Sequence, residues 1–294
     1  MVQVTTQIKS VIVDSGISVF YRTASALHNA GAPTILLLHG FPTSSHQYRH
    51  LIPLLAQHYN VVAPDLPGFG FTTVPAERQY TYTFASLSRT IGAFLDALSI
   101  ESFAVYIFDY GAPVLLCLAL ERPAAITAII TQNGNAYTDG LGAAWAPIQK
   151  YWASDSAEDR AAVAAGVLTF DTTKWQYTHG SRAPEAIAPE SYTLDWALMG
   201  RPGNFEIQLD LFKDYKNNVA MYPKFQEYFR ESQVPLLAVW GKHDAFFIPP
   251  GAEAYKRDLP NAEVIFLDAG HFAGETETAE IAGLMLKFLK RVLN

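Results

Sequence analysis

The chain has 294 residues, half of them apolar and 17% charged, which is enough for one large α/β domain with an insertion or for two small domains. Its formal charge of −7, from 21 basic and 28 acidic residues without any Lys/Arg cluster, argues against a nucleic-acid partner. The opening "MVQVTTQIKSVIVDSG" lacks a basic segment followed by an apolar one, and no apolar run reaches the ~18 residues of a membrane span, so a cytoplasmic protein without membrane contact is expected.

In chain order, "VIVD" and "ISVFYRTA" flank Ser15-Gly16 and read as a β-hairpin. Six continuous apolar runs follow: "TILLLHG" (34–40), "NVVAPD" (60–65), "FAVYIFD" (103–109), "ITAIITQNG" (126–134), "PLLAVWGKHD" (235–244) and "AEVIFLDAGH" (262–271). Continuous rather than alternating hydrophobicity predicts parallel strands covered on both faces. Helical patterns lie between them, in "SHQYRHLIPLLAQHY", "TFASLSRTIGAFLDALSI", "GAPVLLCLALER" and the terminal "ETAEIAGLMLKFLKRVL". Repeated βα units predict an α/β fold with a mostly parallel, doubly wound sheet. The lone Cys117 has no disulfide or zinc partner and reads as a small core residue of the helix after Asp109.

The alternation stops between about Asn135 and Gln233. That stretch reads as helix and loop, and it holds Trp145, Trp152, Trp175 and Trp196, four of the five tryptophans. It predicts a helical cap, residues 135–233, inserted into a core made of residues 1–134 and 234–294. Folded over the C-terminal edge of the sheet, where open α/β sheets bind ligands, it would supply an aromatic-walled pocket.

Three chemistry-bearing residues close strands on that edge: Asp109 ends "FAVYIFD", Asp244 ends "PLLAVWGKHD" and His271 follows "AEVIFLDAG". Singly, an Asp in such a place can be no more than a helix cap. Together, with "HGFP" (39–42), "DLPGFGFT" (65–72), "FDYGAP" (108–113), "WGKHD" (240–244) and "DAGHF" (268–272), they give a sequence that resembles the α/β-hydrolase fold family. Within it the chain is similar to the branch of epoxide hydrolases and haloalkane dehalogenases, whose nucleophile is Asp rather than Ser. The likeness spans nearly the whole chain. It implies a sharp strand-to-helix elbow at Asp109, with small residues Gly111 and Ala112 on one side, although Ile107 replaces the common Gly on the other.

An Asp with an ordinary value near ~4 is ionised at neutral pH and suits attack at a saturated carbon. The resemblance implies an ester on Asp109, water activated by His271 with Asp244 orienting it, and an oxyanion hole from the backbone N–H groups of Phe41 and Tyr110. His39 and Pro42 then shape the loop. Epoxide opening is the leading expectation, because the similarity of "LDLFKDYKNN" to a cap motif implies Tyr215 as a hydroxyl donor; Tyr177 is the first choice for a second, with Tyr151 and Tyr137 behind it. Trp175 and His179 can serve a halide instead, so haloalkane dehalogenation is the alternative. "DYGAPV" carries no Arg to bind a carboxylate, which points to small neutral substrates, with water as the second reactant. An esterase or lactonase would ordinarily want Ser at 109, and a non-catalytic receptor would have lost part of the triad. Asp65 and Asp268 read as turn formers. His46, His50, His58 and His243 show no paired metal spacing, so neither a metal nor another cofactor is expected.

Overall fold

The computed structural model describes residues 4–29 and 31–293. Among these residues eight strands form one sheet: β1 (Gln7–Val13), β2 (Ile17–Ala24), β3 (Thr34–Leu38), β4 (Asn60–Pro64), β5 (Phe103–Phe108), β6 (Ile126–Gln132), β7 (Leu236–Gly241) and β8 (Glu263–Leu267). The strand order is β1-β2-β4-β3-β5-β6-β7-β8. β1 and β2 form the expected hairpin and β2 meets β4 antiparallel; every other pairing is parallel. All residues of β5 and β7 are buried, which is why these strands read as unbroken apolar runs.

Successive residues serve opposite faces of the sheet. Leu36, Leu38, Val105 and Ile107 join one core, and Ile35, Leu37, Ala104 and Tyr106 join the other. The first core packs beneath α2 (Phe84–Ala97) and α3 (Gly111–Glu121), the second beneath the single turn α1 (Leu51–Leu55) and the C-terminal helix. The long helix expected over "SHQYRHLIPLLAQHY" is instead a 3-10 turn, Ser45–Tyr48, followed by α1. Pro53 has no N–H to donate to the preceding turn, which divides the segment. Cys117 on α3 is only half-buried, packed against the core rather than within it, and burial pushes its thiol up to about 11.

Between β6 and β7 the chain leaves the sheet as five helices: α4 (Ala146–Ser154), α5 (Ala157–Val167), α6 (Phe170–Thr178), α7 (Pro189–Met199) and α8 (Asn204–Ser232). Local sequence starts several of them. Ser156 accepts the Asp159 N–H at 3.1 Å and Thr169 accepts the Thr172 N–H at 3.0 Å, satisfying backbone donors that a helix start leaves free. Two ties hold α8 over the C-terminal ends of the strands. Gln208 donates to the Gly68 carbonyl at 3.0 Å, and Asp214 accepts the Phe84 N–H at 2.8 Å. The chain finishes with α9 (Pro250–Ala254), α10 (Ala273–Thr276) and α11 (Thr278–Val292).

Candidate active site

β3 is flanked by β4 on one side and β5 on the other, so the connections after β3 and β5 diverge and leave a crevice at their C-terminal ends. Asp109 stands there, between β5 and α3, with φ at +49°. This left-handed conformation is strained for a residue with a side chain and is held by close packing around it. A Cβ at Gly40 would lie 2.2 Å from Asp109 Oδ1, and one at Gly111 would lie 2.4 Å from the Leu38 carbonyl oxygen, so only glycine fits at either place. Ile107 is buried in β5 and does not prevent the turn.

The Asp109 carboxylate accepts the Phe41 N–H at 2.6 Å and also the Tyr110 N–H. Burial pushes its pKa up to about 6, an effect that His271 and the two backbone donors oppose and Asp244 reinforces. The ordinary value expected from sequence is therefore corrected upward, because the carboxylate sits out of water. Its second oxygen faces His271 Nε2 at 3.9 Å, too far for a direct hydrogen bond, and Nε2 has no other partner. His271 Nδ1 is 2.7 Å from Asp244 Oδ2. Burial alone would lower the imidazole, but Asp244 and Asp109 together hold it above its ordinary value. Asp244 also accepts the Phe246 N–H at 2.7 Å and the Asn133 side-chain N–H at 2.8 Å.

The profile of the α/β hydrolase fold matches residues 33–278. The chain belongs to the α/β-hydrolase fold family. It is 50% identical over 273 residues, 92% of each chain, to the uncharacterized hydrolase YNR064C of Saccharomyces cerevisiae. A mutant haloalkane dehalogenase DatA from Agrobacterium tumefaciens shares the fold at TM-score 0.79, with 20% identity over 97% of both chains. The epoxide hydrolase CorEH does so at 0.77, with 18% identity over 98% of this chain and 99% of its own.

A small cavity of about 20 Å³ lies against Asp109 and His271, lined by Phe41, Asp109, Tyr110, His271 and Phe246 below and by Trp145, Ile148, Val167, Gln176 and Phe212 above. It has room for about one water molecule. Roomier grooves on the surface hold none of the triad.

None of the six excursion residues expected from sequence to meet the substrate lines this cavity. Tyr215 is fully buried behind Trp145, their rings 4.4 Å apart, with its hydroxyl 3.4 Å from that of Tyr222. The Tyr177 hydroxyl donates to Asp195 and lies 3.4 Å from Thr43 Oγ1, while its ring stacks on Phe272. Tyr151 accepts from Arg160 at 3.0 Å and Tyr137 donates to Asp258 at 2.8 Å. Trp175 is 39% exposed, stacked on His179. Of the four tryptophans expected as walls, Trp145 alone reaches the cavity. These hydroxyls are occupied by partners, and those of Tyr137 and Tyr177 reach residues more than a hundred positions away, which no local pattern displays.

Reading from sequence missed Trp145 as a specific contact, and Gln176 and Asn133 altogether. Asn133 follows β6 with φ at +49°, accepts the Gly241 N–H at 2.8 Å and donates to Asp244, so it ties β6 to the acid of β7. The Asn-Gly pair at 133–134 is the signal that could have marked it. The structural readings of His39 and Asp65 agree with the geometry. His39 Nε2 accepts the Leu66 N–H at 3.0 Å, and Asp65 accepts the N–H groups of Ser45 and Phe71 at 2.8 and 2.7 Å. The Phe41–Pro42 bond is cis. Asp268 is an outer loop residue paired with Lys242 and His243. Among the described residues no group of three or more His, Cys, Asp or Glu is placed to hold a metal.

Proposed function

We propose that the protein hydrolyses small neutral molecules at a saturated carbon bearing a leaving group, through an ester on Asp109. One observation carries this reading: one Asp109 oxygen is fixed by the Phe41 N–H while the other faces the unpartnered His271 Nε2 across 3.9 Å. Attack by the carboxylate forms a C–O bond as the carbon–leaving-group bond breaks. A water in the gap then loses a proton to Nε2 and adds to the Asp109 carboxyl carbon. The Phe41 and Tyr110 N–H groups receive the tetrahedral oxyanion; its collapse breaks the ester C–O bond, the departing alkoxide takes the proton back from His271 and leaves as an alcohol, and Asp109, left as the acid, releases its proton to restore the carboxylate.

Epoxides and haloalkanes both offer such a carbon. Epoxide hydrolysis is supported by the sequence around Tyr215 but needs a tyrosine hydroxyl at the cavity, and the site presents none from the excursion. Because the cavity has room for about one water, a larger substrate enters only if helices α4–α8 move aside as a lid. No Lys or Arg lines the cavity, consistent with neutral substrates. Single turnover in ¹⁸O-water is the test. The label should enter the peptide containing Asp109, and His271→Ala should accumulate the ester as a mass increment. Label found only in the product would refute the ester.

A further inference from the structure

Two side chains in the roof of the cavity are polar, buried and unsatisfied. Trp145, at the end of the 3-10 turn before α4, and Gln176, on α6, are each 2% exposed, and neither Trp145 Nε1 nor Gln176 Nε2 has a hydrogen-bond partner. Buried donors are nearly always paired, so two orphans on residues that line one cavity with Asp109 mark a place where something else supplies the acceptor. Both nitrogens only donate. Resting on the ester reading above, we propose that the Trp145 indole N–H and the Gln176 amide N–H seat the departing group, and that this group leaves as a halide ion.

The charge balance fits that assignment. When Asp109 forms its bond to carbon, the carboxylate becomes a neutral ester and the electron pair of the broken bond leaves with the halogen. One negative charge therefore crosses the cavity from floor to roof, and no proton is needed. N–H dipoles already fixed in an apolar site, here walled by Ile148, Val167, Phe212 and Phe246, stabilise charge that appears there. An alkoxide from an epoxide needs a proton as well, and neither an indole nor an amide is acidic enough to give one. The hydroxyls of Tyr137, Tyr151, Tyr177 and Tyr215 all have partners. Tyr110 is the competitor, since its hydroxyl is unpartnered and it lines the cavity, but its ring is enclosed by Phe84 at 4.8 Å and Tyr215 at 5.8 Å.

The experiment follows ester formation on Asp109 by rapid quench and peptide mass, using 1-bromobutane and styrene oxide as probes. Trp145→Phe and Gln176→Leu should each slow alkylation by bromobutane ~10²-fold, whereas breakdown of ester already formed should change only slightly. Should Tyr110→Phe or Tyr215→Phe abolish alkylation by styrene oxide while both roof variants remain as fast as wild type, the halide seat is overturned and the Asp109 ester stands. Failure of the wild type to form an ester from either probe overturns both. If the roof variants do not fold, wild-type crystals soaked in sodium bromide decide. An anomalous peak in contact with both nitrogens supports the seat, and an empty roof refutes it.

Discussion

Replacing Asp195 with Asn should change how stability depends on pH. Asp195 lies buried where α7 meets α6 and the loop after Phe41. Burial pushes its carboxyl up to about 8; hydrogen bonds from Tyr177 and Thr43 oppose the rise, and the carboxylates of Glu275 and Asp65 add to it. In the unfolded chain the same group titrates near 3.8. Between these values the folded protein holds a proton that the unfolded chain releases, so raising the pH favours unfolding. The contribution is complete below about pH 4, shrinks through neutrality and is gone above about pH 8. Within that window each pH unit is worth about 1.4 kcal/mol, so this one group should cost the wild type about 3 kcal/mol between pH 5 and pH 7. Asn keeps the shape and does not titrate. Urea unfolding of both proteins at pH 5, 6 and 7 isolates the effect, because all other groups cancel in the difference. Parallel stability curves would refute the reasoning: they would mean that Asp195 is ionised in the fold, with Arg49 as its counter-charge.

Two further predictions concern the site. With its pKa pushed up to about 6, Asp109 is largely protonated at pH 5, so the alkylation step should slow ~10-fold between pH 7 and pH 5; a flat profile in rapid-quench measurements would contradict the carboxylate as attacking group. Asn133→Ala should remove a charge-assisted bond to Asp244 and leave the buried Gly241 N–H unpaired, costing about 2 kcal/mol of stability and slowing ester breakdown more than ester formation. Unchanged breakdown, with the stability loss present, would leave Asn133 a purely architectural residue.

The sheet was legible, and so was the placing of Asp109, Asp244 and His271 at one of its edges, because both are written locally. Continuous apolar runs mark strands buried on two faces, and Asp109, Asp244 and His271 each stand where such a run ends, so the parallel arrangement alone brings them to one edge. The glycine that permits the elbow was half legible. Gly111 stands beside Asp109 in sequence, whereas Gly40 approaches it from another strand. The contents of the cavity were decided by tertiary structure. Tyrosines were the natural donors by residue type, yet Tyr177 is claimed by Asp195 and approached by Thr43, 134 positions away, and Tyr137 by Asp258, 121 positions away. Trp145 was marked only as one of four wall tryptophans and Gln176 not at all, because what distinguishes them is the absence of a partner. Asn133 matters through Asp244, 111 residues further along the chain. Hydrophobic periodicity is a property of neighbours in sequence; whether a buried polar group is satisfied depends on everything folded around it, and that is settled only when the whole chain has packed.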